Sequence, residues 1–310
     1  MPHISRVVAI AGATGSLGLI VAKVFLLPQF RTRFHDVIVL ARSESPKTEE
    51  LISLGAKLRL YSEDTLETVL RDVDAVVNVV GPSGHDFKMR LLRCLPLTSV
   101  SLYFPSEFGV NHYVHDFSHE EWDAKKHHFH LAQDLIPRAH ICRVYAGLFL
   151  EDSIGPWFGF FTKDAKYEAV GSPAQKTSYT SMYDVGRALA ILASSPQADV
   201  PEEVHLSGDS KSFSEIATIM EEHGASRIEV SSVPLESYRA QVLAKPSPTP
   251  ERYLRFLMGE GKIDHTDKGL GNQNGVVAGD DGLSSWKSVV DLAKETNGRP
   301  WATHDWKSTD

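Results

Sequence analysis

The strongest constraint on this chain lies at its start. The apolar run Arg6–Ala11 (RVVAIA) ends in a glycine turn, Gly12-Ala-Thr-Gly15-Ser-Leu-Gly18, and passes at once into a helical pattern over residues 17–27. A continuous apolar run, unlike an alternating one, marks a strand covered on both faces, as in parallel sheets. The pattern recurs. Strand-like runs at 37–41 (VIVLA), 57–61, 75–80 (AVVNVV) and 100–104 alternate with helical stretches at 48–54, 65–71 and 87–95. This alternation predicts an α/β fold, a Rossmann-type doubly wound parallel sheet.

Beyond residue 105 a helix is expected over 119–135 and an extended run over 140–145. The later signals are weaker. Residues 183–194 read as a helix with Asp184 near its start, 204–206 as a strand, and 212–223 as a helix opened by a Ser212 cap. KPSPTP at 245–250 is a break, and the glycine-rich stretch 269–282 reads as a mobile loop. The organisation expected is a Rossmann domain over 1–150. A smaller substrate-binding region over 151–310 is expected to interleave partly with it.

The bulk numbers exclude several classes. A net charge of -8 argues against a nucleic-acid partner. No apolar run is long enough to cross a bilayer, and the N-terminus lacks a basic-then-apolar signal layout, so no membrane partner is expected and the cytoplasm is the expected compartment. The two cysteines, Cys94 and Cys142, sit among apolar neighbours and read as buried thiols. His112, His115, His119, His127, His128 and His130 match no standard ligand spacing and no cysteine is near, so no metal is expected.

The glycine turn suits a dinucleotide. Gly12 permits the tight turn, Gly15 lets backbone approach a pyrophosphate, and Gly18 lets the helix pack on the strand. Any side chain at Gly12 is expected to block the pyrophosphate. Thr14, Ser16 and Leu17 belong to the same loop and helix start, whose free amides attract phosphate. Arg42 ends the second strand, where NAD-binding chains usually carry an acid. A guanidinium there binds a 2′-phosphate, so the cofactor expected is NADPH. Lys47 lies nearby and adds charge, and Gly81 follows the fourth strand, where the carboxyl ends of the sheet meet the cofactor.

No tyrosine is followed four residues later by lysine, so the Tyr-x-x-x-Lys pair of typical short-chain dehydrogenases is absent. Residues 7–18 and 100–109 (VSLYFPSEFG), with AGLFLED at 146–152 and SYTSMYDVGRALA at 178–190, instead resemble the isoflavone reductase-like and NmrA-like branch of atypical short-chain dehydrogenases. Leu102 departs from the arginine that plant members often carry. The resemblance implies that Phe104, Pro105 and Ser106 adjoin the cofactor. It also implies a catalytic lysine on the helix after FPSEFG, at Lys125 or Lys126. Trp122, Phe129, Ala132 and Ile136 form a helical stripe; at about 100° per residue Lys125 falls inside it and Lys126 near its edge. The family spacing from an aromatic residue also fits Trp122 to Lys125. His112, which follows FPSEFG, is a further candidate. Phe104, Phe108, Gly109, Phe149, Trp157 and Phe158 are candidates for the substrate side.

The implied function is NADPH-dependent reduction of a small aromatic or polyketide-like molecule, with hydride going to a carbonyl, enone or quinone-methide carbon. Two other readings stay open. One is a dinucleotide-binding redox sensor without turnover. The other is a non-redox isomerase or cyclase.

Overall fold

The computed structural model describes residues 4–62, 64–278 and 285–304. Strand β1 (Arg6–Ala11) runs into helix α1 (Ser16–Phe25). A short helix α2 (Pro28–Arg31), β2 (Phe34–Ala41), α3 (Pro46–Ser53), β3 (Lys57–Leu60), α4 (Leu66–Leu70) and β4 (Ala75–Asn78) follow. Then come α5 (His85–Cys94), β5 (Leu102–Phe104), α6 (Glu120–Leu135), β6 (His140–Ile141) and β7 (Arg143–Tyr145). Strands pair in the order β3-β2-β1-β4-β5-β6, and every pairing is parallel.

Alternate residues of each strand feed opposite cores. Val8, Ile10, Val37, Val39 and Val77 pack on one face, and Ala9, Ala11, Ile38, Leu40 and Val76 on the other. Both sets are apolar because helices cover both faces, the doubly wound arrangement expected from the unbroken apolar runs. The strands at residues 6–11, 57–60, 75–78 and 102–104 lie where the sequence puts them. β2 begins three residues early because Phe34 stacks on Phe25, with ring centroids 5.1 Å apart.

The second half contains β8 (Leu148–Phe149), α7 (Leu150–Ser153), β9 (Phe160–Phe161), β10 (Lys166–Val170), β11 (Thr177–Thr180) and α8 (Met182–Ser194). It continues with β12 (Glu203–His205), β13 (Asp209–Lys211), α9 (Phe213–Glu222), β14 (Glu229–Val233), α10 (Leu235–Ala244), α11 (Glu251–Gly259) and α12 (Val289–Thr296). α8 packs on α1, where Gly186 lets Val24 approach: a Cβ at Gly186 would meet its side chain at 3.1 Å. β12 pairs with β7, next to the end of the main sheet. A separate core forms where Phe160 stacks on Phe213 at 4.3 Å, with Tyr167, Met220 and Phe256 around them. Ser212 caps α9 and Glu215 returns the bond, completing the cap expected there.

The glycine-rich stretch differs from expectation over its described part, residues 269–278. Leu270 donates to the Asp264 carbonyl at 2.7 Å, Gln273 bonds both ways with His205, and Asn274 bonds both ways with Ser207. Val277 is fully buried. Amide side chains thus tie this part to the backbone around β12; residues 279–282 lie outside the described residues.

The glycine turn is packed backbone against backbone. Gly12 has φ +86°, and a Cβ there would lie 2.9 Å from the Val79 and Val80 backbone. The space a side chain at Gly12 would take belongs to the end of β4, not to a pyrophosphate, so the constraint at Gly12 is on folding first. A Cβ at Gly18 would lie 2.0 Å from the Gly12 carbonyl oxygen. Gly18→Ala is expected to lower stability by about 1–3 kcal/mol, the usual range for overpacking against a neighbour that cannot move away. Urea unfolding measures this, and an unchanged midpoint would show that the turn yields.

Candidate functional site

Two cavities meet at the glycine turn. The first, about 750 Å³, runs from Gly12, Thr14 and Gly15 over the ends of β2 and β4 to Arg42, Tyr61 and Arg90. Gly15 caps α1 without a side chain, and no acid occupies that helix's first turn. The amides of Ser16, Leu17 and Gly18 therefore lack a side-chain partner and carry the positive end of the helix dipole. Burial raises the Tyr61 hydroxyl above its usual range, exposed Arg42 and half-buried Arg90 oppose that rise, and Tyr61 stacks on Phe87 at 4.9 Å. Glycine cradle, open amides and two guanidinium groups beside a stacked ring pair form a site that fits a phosphorylated dinucleotide. Lys47 does not line this cavity. Its Nζ donates to the Thr14 carbonyl at 2.8 Å and so braces the turn.

The second cavity, about 790 Å³, starts at Gly15, Ser16, Leu17 and Gly81 and ends among Phe149, Trp157, Phe158 and Leu254. Ser106, Phe108, Gly109, His112 and Lys125 form one wall. The wall turns sharply because Phe108 has φ +39°, in the left-handed region that a bulky side chain rarely adopts. Its amide donates to the Val144 carbonyl at 2.9 Å, and Gly147 donates to the Gly109 carbonyl at 3.1 Å, fixing the turn from the neighbouring strand. Ser106 Oγ donates to the Val80 carbonyl at 2.8 Å, tying the same turn to the end of β4. Strain of this kind, worth about 1–3 kcal/mol, concentrates at functional sites.

α6 positions the lysines. Lys125 Nζ donates to the Glu107 carbonyl at 3.2 Å and lies 3.6 Å from Glu121. Lys126 points elsewhere, 3.7 Å from Asp123 and 5.9 Å from the Tyr113 ring centroid, and lines neither cavity. Trp122 is buried and stacks on His112 at 5.3 Å, which anchors the helix stripe against the turn. His112 is only 2% exposed, with no hydrogen-bond partner for either ring nitrogen among the described residues. Its Nε2 lies 3.4 Å from Glu107 Oε2. Burial drives the imidazole well below its usual range and the carboxyl above its own. Both directions oppose an ion pair at neutral pH, so the contact brings two poorly solvated polar groups together without a formed salt bridge.

Other expected residues fall outside the cavities. Phe104 is fully buried in the sheet core and Gly18 is packed beneath Gly12, while Pro105 lines a smaller chamber behind Lys125. The structure also brings in residues that sequence reading passed over: Tyr61, Arg90, Glu121, Met182 and Trp301. Arg90 sits three residues after Phe87 and so on the same helix face, the one local signal that pointed to it. Trp301 arrives from the far end of the described chain, which no local pattern announces. No group of acids, histidines and cysteines among the described residues is arranged to hold a metal.

The comparisons agree with this architecture. The NmrA-like family profile matches residues 5–265. An NmrA-like family domain-containing oxidoreductase of Gibberella moniliformis (strain M3125 / FGSC 7600) is 26% identical over 208 residues, 64% of this chain and 67% of that protein. The leucoanthocyanidin reductase–NADPH binary complex from Vitis vinifera superposes with a TM-score of 0.74 at 17% identity, covering 94% of this chain and 99% of that one. Isoflavone reductase superposes with a TM-score of 0.72 at 18% identity and the same coverage. At these identities the solved structures establish the shared fold. The profile match spans most of the chain, and the chain belongs to the NmrA-like family.

Proposed function

We propose that this protein is an NADPH-dependent reductase of a small aromatic or polyketide-like molecule bearing a carbonyl, enone or quinone-methide group. The observation that carries the proposal is the position of Lys125, in the wall of a largely apolar cavity that begins at the glycine turn and ends on aromatic side chains. A redox sensor has no need of an amine at that position. The similarity to an NADPH-bound reductase and to the complex of AtPrR2 with NADP+ and (+)pinoresinol supports the same reading.

When bound, the nicotinamide supplies a hydride. The chain's own residues do the rest. The turn at Gly12–Gly18 and the amides of α1 hold the pyrophosphate, and Arg42 holds the 2′-phosphate. Phe149, Trp157 and Phe158 shed water and stack on the substrate. Lys125, fixed by the Glu107 carbonyl, gives a proton to the substrate oxygen or carbon as reduction proceeds. His112, kept neutral by burial, stacks on Trp122 behind the same wall and holds it in place. Trp157, Phe158 and Leu254 of the second half line the far end of the cavity, which supports a substrate-binding role for that region.

NADPH is expected to bind at least about tenfold tighter than NADH, since a charge-assisted phosphate contact contributes about 1.5–3 kcal/mol. Arg42→Ala should remove most of that preference in a fluorescence titration; equal affinities in the wild type would refute the assignment. With a substrate found by screening aromatic ketones, enones and quinones, Lys125→Ala should cut turnover by roughly 10²–10⁴-fold, the range for losing a general acid. NADPH affinity should barely change, and Lys126→Ala should behave as wild type. Full activity in Lys125→Ala would show that another group supplies the proton.

A further inference from the structure

Lys125 has a second side. Behind it lies a chamber of about 310 Å³ that shares Pro82, Ser106, Glu107, Glu121 and Lys125 with the apolar cavity. Its rim, at His85, Glu120 and Pro248, is exposed, and its floor, at Lys88, Glu107 and His128, is buried. Lys88 is unusual among the lysines. It projects from α5, is only 6% exposed, and has no ion pair or hydrogen bond among the described residues. A buried, unpaired ammonium is costly, and this one faces a solvent-connected chamber.

We propose that Lys88 and this chamber keep Lys125 supplied with protons. The inference rests on the reductase reading above. In each turnover the Lys125 ammonium gives one proton to the substrate and becomes a neutral amine. The Lys88 ammonium then gives a proton through chamber water to Lys125 Nζ, and Lys88 takes one back from bulk water at the exposed rim. One proton enters for each one delivered, so charge balances over the cycle. Lys88 acts through Lys125 and is a positioning residue, not a catalytic one.

The groups around Lys88 fit this task. Lys125 and Glu121 face it from α6, with His128 one turn on; Glu107 faces it from the turn after β5, and His85 from its own helix. Burial and the repulsion of Lys125 lower the Lys88 amine to about 8, with Glu121 and Glu107 acting the other way. An amine there exchanges protons at physiological pH. His128 is lowered to about 4 by burial and its Nε2 is engaged by the Tyr103 hydroxyl at 2.8 Å, so it stays neutral and does not compete.

Two measurements test the proposal. In NMR titrations of lysine-labelled protein, the signal that vanishes in Lys88→Met should titrate near pH 8, and Lys125→Met should move its midpoint upward by removing a like charge. A Lys88 signal that titrates with the exposed lysines and ignores Lys125→Met overturns the proposal. With an active substrate, the kcat of the wild type should fall above about pH 8 as Lys88 loses its proton. Lys88→Met and Lys88→Arg should both lower kcat several-fold and abolish that limb, with NADPH affinity unchanged. Arginine keeps charge and bulk but does not release a proton at these pH values. Full kcat in Lys88→Arg therefore overturns the relay alone, while no turnover across the whole panel overturns the reductase reading and the relay with it.

Discussion

The close approach of Gly12 to the backbone of Val79 and Val80 fixes everything downstream of it. That contact brings the carboxyl ends of β1 and β4 together with no side chain between them. α1 can then start immediately over the sheet, because Gly18 presses on the Gly12 carbonyl. The residues after β4 sit against the turn instead of beside it, and from there the structure extends by hydrogen bonds. Asn78 Nδ2 donates to the Tyr103 hydroxyl at 2.9 Å, and Ser106 Oγ reaches the Val80 carbonyl. The FPSEFG turn is therefore registered on β4, and α6 is registered on that turn through Lys125 and Trp122. A floor, a wall and a lysine follow from one backbone contact.

Electrostatics within that frame runs against solvation. Glu107 and His112 are both about as buried as core residues, yet they do not form a settled ion pair, and nearby Lys88 adds an amine with no partner among the described residues. A chain optimised for stability alone would place apolar side chains at such positions. The strained backbone at Phe108 lies in the middle of this cluster. Three costs in one small volume, each without a local structural return, are what a site of chemistry looks like when seen through energetics.

Much of the first half was legible in the sequence because parallel strands buried on both faces leave unbroken apolar runs, and each is followed by a helix of ordinary length. The glycine spacing could be read for a similar reason: backbone packed this closely on backbone demands glycine. The stripe through Trp122 and Ala132 gave the inward direction of Lys125, since a sixteen-residue helix carries enough period to read. Legibility fails where elements are short. β8 and β9 have two residues each, too few for any period, and their pairing depends on partners far along the chain. The amide-rich stretch 269–278 looked mobile because glycines dominate its composition, while the hydrogen bonds of Asn272, Gln273 and Asn274 are invisible without partners. Arg90 and Lys88 went unremarked because nothing in a helical KMR segment tells a buried or cavity-facing cation from a solvated one.

Trp301 has a wider consequence. It stands edge-on to Trp157 at 5.0 Å, and its indole nitrogen donates to the Glu151 carbonyl at 3.1 Å, so the outer wall of the apolar cavity is closed by residues remote in sequence from the glycine turn. The core around Phe160 and Phe213 that supports this wall shares no member with the cores on either face of the main sheet. Changes in the wall and changes in the cradle therefore act on separate packing units, whose effects on stability should add. A lineage with this architecture is free to reshape the far end of the cavity by altering aromatic side chains, while the glycine turn and the wall that carries Lys125 stay as they were.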